Sequence, residues 1–334
     1  MKNLNKSLFG SRQASNILRY GVLIILVIIA SILAPGFLSM QNILNLLRTF
    51  SFLGLISIGM TFVIIAGGID LSVASNFALS GVLLGLFEHW GIYLGHVDKL
   101  SLLAPTPILF IIILLIGAFI GFINGLIITK LRIADFAATL GTMVAVRGLA
   151  FTISGGRTIF GLDSIAIFMG QGMIGPIPFV AILFIFLIII CEVVLKDTIF
   201  GKRLFVCGEN PIAAKLSGID AEHYKIAAYT ISGLFASLAG LCMAGRLSVG
   251  EPRVAEGWEL DAIAAVVIGG TSLAGGDGSV VKTLLGVVII AMIRNILSLI
   301  GILPEPQDMI MGLVLLAAVI LGSLGNERGA LKRA

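Results

Sequence analysis

The chain has 334 residues, of which 58% are hydrophobic and 12% charged, with a formal net charge of +4. A soluble globular protein is roughly 45–50% apolar and about 25% charged, so this chain has too little polar side chain to clothe its apolar surface in water. A water-soluble enzyme, a nucleic-acid binder and a disordered chain are excluded together, and the sequence reads as an all-α integral membrane protein.

A helix needs roughly 20 apolar residues to cross the hydrocarbon core of a bilayer. In chain order, apolar runs fall at 20–34, 43–66, 72–87, 107–129, 136–154, 177–195, 226–244, 260–273, 280–300 and 309–324. The expectation is a polytopic bundle of about ten transmembrane helices, with eight to eleven open. The run at 260–273 is short and interrupted by glycine, and a broken helix of that kind is tolerated only inside protein. Lys2, Lys6, Arg12 and Arg19 precede the first run, no acid comes before Asp70, and no A-x-A cleavage site is evident. The first run therefore reads as an uncleaved anchor. A single transmembrane domain at 20–324 is flanked by an N-terminal segment, 1–19, and a tail, 325–334.

Lys and Arg concentrate on the cytoplasmic side of a membrane protein. With segment 1–19 inside, fifteen of the 22 Lys and Arg fall in inside segments. Four (Lys99, Arg157, Arg246, Arg253) fall outside and three (Arg48, Arg147, Arg294) within spans. Both termini are expected in the cytoplasm. The basic balance is a topology signal and not a sign of nucleic acid. Gly117, Gly121 and Gly125 form a small-residue row, as do Gly81 and Gly85. Such rows let helices pack closely where lipid supplies no hydrophobic drive.

Two segments echo each other. Val63-Ile64 leads to Gly67-Gly68-Ile69-Asp70-Leu71, and Val267-Ile268 leads to Gly269-Gly270-Thr271-Ser272-Leu273. Repeats with glycine-broken helices are common in transporters. Cys191, Cys207 and Cys242 are scattered, as are the three histidines, so neither a disulfide framework nor a metal site is expected.

The one long polar segment on the inside is 196–225. Within it Asn210 suits a helix N-cap, Pro211 the first helical position and Gly218 the stop. A short capped helix there reads as a docking element. Polar groups in the spans are costly and default to functional candidates. Asp70, Asn76, Asn124, Arg294 and Asn295 are candidates for a translocation pathway, with capping of the following helix the competing role for Asp70. Arg147 reads as snorkelling to the outer interface. The outer face carries acids, including Glu88, Asp98, Glu251, Glu256, Glu259, Asp261 and Glu305, suited to pairing with a basic partner.

The segment GENPIAAKLSGID, together with GMTFVIIAGGIDLSVAS (59–75) and ELDAIAAVVIGGTSLAGGDGS (259–279), resembles the ribose/xylose/autoinducer-2 branch of the ABC importer permeases. The resemblance runs from about residue 35 to residue 324. One departure is that the Glu-Ala-Ala opening of the broader family motif is here Pro211-Ile212 before Ala213-Ala214, with Glu209 the nearest acid. The resemblance implies a bacterial inner-membrane permease working as a dimer with a second copy or paralogue. Two ATPase subunits would bind the inner loops, and a periplasmic or lipid-anchored binding protein would deliver a small sugar. It implies that Glu209, Asn210, Pro211, Ala213, Ala214, Lys215, Leu216, Ser217 and Gly218 couple to the ATPase, and that Glu251, Glu256, Glu259 and Asp261 meet the binding protein. No GxxxxGK[ST] pattern occurs in the chain. No catalysis is therefore expected from it, and ATP and Mg belong on the partner subunit. The rival class is an ion-coupled secondary transporter working without an ATPase.

Overall fold

The computed structural model describes residues 12–93 and 105–330. Residues 1–11, 94–104 and 331–334 lie outside the described residues, and with them Lys2, Lys6, Asp98 and Lys99 and the extremities of the two terminal segments.

In chain order the helices are α1 (Arg12–Leu33), α2 (Met40–Ile65), α3 (Val73–Tyr93), α4 (Thr106–Lys130), α5 (Asp135–Ser154), α6 (Ser164–Gln171), α7 (Phe179–Asp197), α8 (Ile199–Glu209), α9 (Pro211–Leu216), α10 (Ala221–Leu247), α11 (Trp258–Gly269), α12 (Val280–Leu299) and α13 (Pro304–Ala330). Among the described residues six helices are long and apolar enough to cross a bilayer: α2, α4, α5, α7, α10 and α12. Shorter apolar stretches lie in α1 (Gly21–Leu33) and α3 (Val73–Glu88). The chain is a helical, multi-pass membrane protein. The apolar run at 260–273 becomes a helix of 12 residues, because the chain turns left-handed at Gly270 (φ +101°). Any other residue would be strained there.

Two parts of the chain hold more structure than the apolar pattern announces. The stretch 155–176 contains α6, capped by Asp163. It also carries strand β1 (Ile159–Phe160), which pairs antiparallel with β4 (Val249–Gly250), and β2 (Met173–Ile174), which pairs antiparallel with β3 (Ile177–Pro178). These strands are too short to show an alternating pattern. The polar segment after α7 contains α8 before α9, with the Thr198 hydroxyl accepting from the Gly201 amide at 3.2 Å.

Helix α10 is the axis of the bundle and packs against α2, α3, α4 and α6. It can do so because glycines face each other. A Cβ on Gly121 would stand 2.1 Å from the Tyr229 carbonyl oxygen, and one on Gly233 would stand 2.2 Å from that of Gly117. Gly117 and Gly125 are pressed as closely on Ser237 and Ile226. The row on α4 therefore packs helices, as its spacing suggested. Gly240 meets the backbone of Phe77 on α3 in the same manner. The hydrophobic core runs along α2, where every residue from Ser51 to Ile65 is buried.

The substitution Gly121→Val drives two methyl groups into the α10 backbone and must part α4 from α10. Overpacking of this kind costs about 1–3 kcal/mol or more. The purified variant is expected to unfold several degrees below the wild type in a detergent thermal-shift measurement, whereas Gly312→Ala, a site with nothing within 4 Å, leaves the transition in place.

Candidate functional site

At one end of the bundle the chain leaves α8, turns at Asn210 and enters α9. The Asn210 Oδ1 accepts from the amides of Ile212 (3.1 Å) and Ala213 (3.0 Å), satisfying two of the helix's orphan donors. Pro211 follows at the first helical position. At the far end Gly218 turns left-handed (φ +76°), and the Ile219 amide reaches back to the Ala214 carbonyl at 2.9 Å. Local chemistry thus closes a six-residue helix at both ends, in the way the residue types indicated.

Only Ala214 of this helix is buried. Glu209, Asn210, Pro211, Ala213, Lys215, Leu216, Ser217 and Gly218 are all exposed. Ile212 (75% exposed) and Leu216 (85%) stand four residues apart, on one side of the helix, with no protein over them. Ile212 was not among the coupling residues expected from the sequence. Its spacing from Leu216 in an otherwise polar segment was the signal available. Burial raises the Cys207 thiol above its ordinary range, so no reactive thiolate lies beside this surface.

Behind α9, the end of α8 is wedged between the two segments that echo each other in sequence. A Cβ on Gly208 would fall 1.8 Å from the Ile65 carbonyl oxygen and 2.9 Å from the Gly276 nitrogen. The Gly276 amide itself donates to that Ile65 carbonyl at 3.0 Å. A Cβ on Gly275 would meet the Gly208 carbonyl oxygen at 2.7 Å and the Gly67 Cα at 3.0 Å. So the break between α2 and α3 and the break between α11 and α12 meet one another, and both meet Gly208. Thr61 on α2 and Thr283 on α12 share a further hydrogen bond at 2.8 Å. Glu192 near the end of α7 accepts from the Ser279 hydroxyl (2.7 Å) and the Val281 amide (3.2 Å) at the start of α12, and pairs with Lys196.

The first break carries Asp70, which is fully buried. Its Oδ1 accepts from the Ser72 amide (3.0 Å) and hydroxyl (2.7 Å), and its Oδ2 from the Ser232 hydroxyl of α10 (2.8 Å). The bond to the Ser72 amide is the local turn that the capping role requires. The rest of the network goes further. Asn124 on α4 donates to Ser72 Oγ at 2.9 Å and accepts from Thr142 of α5 at 2.6 Å. Tyr229 (3.1 Å) and Thr139 (3.3 Å) both donate to the carbonyl of Ile69. One continuous set of hydrogen bonds thus ties α10, the break, α4 and α5. Ser72, Ser232 and Thr142 were missed in the sequence because hydroxyls within apolar runs carry no distinctive spacing.

The remaining candidates are separate from this network. Asn76 donates to the carbonyls of Gly117 (3.1 Å) and Gly233 (3.0 Å), at the closest approach of α4 and α10. Asn295 exchanges two amide hydrogen bonds with Asn42, at 2.8 and 3.1 Å. Arg294 is paired with Asp261 (2.6 Å) and Asp308 (3.1 Å), joining α11, α12 and α13. Asp261 is only 3% exposed. It faces Arg294 inside the packing, away from the solvent-facing surface that a binding-protein contact needs. Glu256 is exposed, Glu251 accepts from Thr158 and the Arg253 amide, and Glu259 lies within electrostatic reach of Arg147. Arg147 donates to the carbonyls of Pro252 (2.7 Å), Val254 (3.0 Å) and Ala74 (3.2 Å).

A multi-pass helical protein with a capped, uncovered helix seated on its glycine-broken segments, and with its polar side chains spent on packing, has the build of a membrane permease component. The family described as "Branched-chain amino acid transport system / permease component" matches residues 42–319. The chain belongs to this family, and within it to the ribose-type ABC import permeases. It is 46% identical over 302 residues to the ribose import permease protein RbsC of Bacillus subtilis (strain 168), covering 90% of each chain. It is 39% identical over 311 residues to the protein of the same name from Haemophilus influenzae, covering 92% of this chain and 93% of the relative. It is 36% identical over 316 residues to the galactose/methyl galactoside import permease protein MglC of Escherichia coli (strain K12), covering 92% and 94%. No solved structure matches the chain.

Substitution Gly208→Ala puts a methyl group where the Ile65 carbonyl stands, so α8 must withdraw from both breaks. Amide hydrogen exchange by mass spectrometry is expected to rise in the peptides covering residues 65–70 and 270–276, and to stay unchanged along α4.

Proposed function

We propose that the chain is the membrane-spanning subunit of an importer for a ribose-like or galactose-like sugar, driven by ATP hydrolysis on a separate subunit. The cargo class follows the printed names of the relatives, which are sugar import permeases at up to 46% identity. The observation that carries the mechanical part of this reading is α9, closed by its own caps, with Ile212 and Leu216 exposed to no partner within the chain. An ATPase subunit that covers these side chains and changes shape with bound ATP and Mg would push α9. Gly208, seated against both breaks, would carry the displacement to α2, α3, α11 and α12.

In this reading the α9 end faces the cytoplasm of a bacterial inner membrane, both termini lie inside, and about ten spans are made, with α1, α3, α11 and α13 joining the six long helices. A binding protein meets the opposite end, where Glu251, Glu256 and Glu259 lie. Asp70 and Asn124, joined through Ser72, and Asn76, whose amide nitrogen donates to two backbone carbonyls, act on the pathway by fixing the helices around it.

A second copy of the permease fits against α5. Of the six long helices, α5 is the least buried within the chain and also the least apolar. A helix facing lipid should be the more apolar for its exposure, as α4 and α7 are. Gly141 and Gly148 on α5 have nothing within 4 Å, unlike the glycines of α4. Such open small-residue positions suit close approach of another helix.

Two measurements test the reading. When the chain is co-expressed with the ATPase subunit from its own transport system, wild type is expected to retain that subunit through purification. The pair Ile212→Asp and Leu216→Asp is expected to lose it, and with it sugar uptake by proteoliposomes, while membrane insertion is unchanged. Retention of both the ATPase and uptake would overturn the docking role. In a chain whose three cysteines are replaced by alanine, Gly148→Cys is expected to give a disulfide-linked dimer in membranes. Ile189→Cys, on the exposed face of α7, is expected to stay monomeric.

A further inference from the structure

At the end of the bundle opposite α9, two arginines lie near one another, and among the described residues neither is paired with an acid. Arg48 lies on α2, and Arg246 lies in the last turn of α10. The two guanidinium groups are close enough for the charge of Arg48 to act on Arg246. Their hydrogen-bond partners are neutral. Arg246 Nη2 donates to Asn45 Oδ1 at 3.3 Å, and Asn45 lies one turn before Arg48 on the same helix. Arg48 Nη2 contacts the Met173 sulfur at 3.3 Å. Gln171 holds the arrangement by donating to the Arg246 carbonyl (3.0 Å) and the Ser248 hydroxyl (2.9 Å). Arg48 Nε is buried without a partner. Among the described residues, neither arginine forms an ion pair.

The pair runs against two physical expectations. Like charges held close together repel, and a guanidinium nitrogen buried without an acceptor, as Arg48 Nε is, is costly. Cations are also sparse at the outer face that the proposed orientation gives this end, yet two stand together here. The attraction of Arg246 to the C-terminal end of the α10 dipole accounts for one of them. It does not account for Arg48, which is near the start of its helix. A bound anion with several acceptor oxygens resolves both problems, and paired guanidinium forks match the geometry of phosphate oxygens.

We infer that Arg48 and Arg246 form a site for a phosphate-bearing anion at the level of the lipid headgroups. The phosphodiester of an anionic phospholipid fits best. Met173, which touches Arg48, opens the short β2–β3 hairpin, and Met173, Ile174 and Ile177 are all exposed apolar side chains. A ligand that offers oxygens to the arginines and acyl chain to the hairpin satisfies both surfaces. α10 is the bundle's central helix, so the anion neutralises charge at the joint between α2, α6 and α10.

Native mass spectrometry of the full chain released from nanodiscs tests this. In discs of phosphatidylcholine with phosphatidylglycerol, wild type is expected to retain phosphatidylglycerol. Loss of each charge-assisted contact lowers retention about tenfold, so the double variant Arg48→Gln/Arg246→Gln is expected to retain none above the phosphatidylcholine background. Asn45→Asp keeps both arginines and sets a carboxylate beside Arg246. It is expected to expel the lipid while the melting temperature holds or rises, which separates lost binding from lost folding. A parallel arm titrates inorganic phosphate into phosphatidylcholine discs. Stabilisation of wild type but not of Asn45→Asp in that arm supports the site with free phosphate as its source. Equal phosphatidylglycerol retention by wild type and both variants, with no effect of phosphate, overturns the site. Weaker capture of the sugar-binding protein by the variants, with lipid retention unchanged, overturns it in favour of a protein contact.

Discussion

The chain breaks twice between apolar helices, at α2–α3 and at α11–α12, and each break frees backbone groups that a helix would have paired. The structure satisfies several of them from within the protein. The Ile65 carbonyl, released at the end of α2, accepts from Gly276 in the other break. The Ile69 carbonyl accepts from Tyr229 and Thr139. Asp70 is held by three donors and reaches no cation among the described residues. A carboxylate so buried stays only where hydrogen bonds surround it. The breaks are therefore joined to each other and to α10. Neither can shift without breaking bonds that the low-dielectric interior makes expensive to lose.

Glycine makes the joint possible. Two loops and a helix end meet with backbone against backbone, at distances where a single Cβ on Gly208, Gly275 or Gly276 would collide. Backbone contact of this kind is stiff, because it leaves no side-chain rotamer to absorb a displacement. Asn210 then turns the chain directly from this joint into α9. The exposed helix and the buried breaks are thus separated by two residues, Glu209 and Asn210.

What could be read from the sequence follows from whether the physics is local. The caps of α9 rest on residues within nine positions of each other, and Asn210, Pro211 and Gly218 announce them. The packing row on α4 is a spacing and is legible in the same way. Gly208 has no such signature, since its partners Ile65 and Gly276 are remote in the chain. Asp261 and Arg294 were assigned to different roles, an outer-face acid and a pathway cation, because nothing in their 33-residue separation reveals the 2.6 Å contact that joins them. Composition and length gave the membrane class at once. Six helices meet the length and composition of a span among the described residues. α11, the run at 260–273, falls short because Gly270 turns left-handed and ends it after 12 residues.

The same economy governs the polar side chains inside the bundle. Asn76, Asn124, Asn295 and Asp70 are each engaged with neighbouring helices. A carrier that bound its cargo tightly would need such groups free to meet hydroxyls, and would also release that cargo slowly. Using them to lock helices makes the interior of one chain a mechanical body. In the proposed reading, recognition of the cargo moves to surfaces the chain shares with others. The partner surface proposed is the open, weakly apolar face of α5, and a path formed between two copies there would change width whenever the joint behind α9 moved α3 and α10 against it.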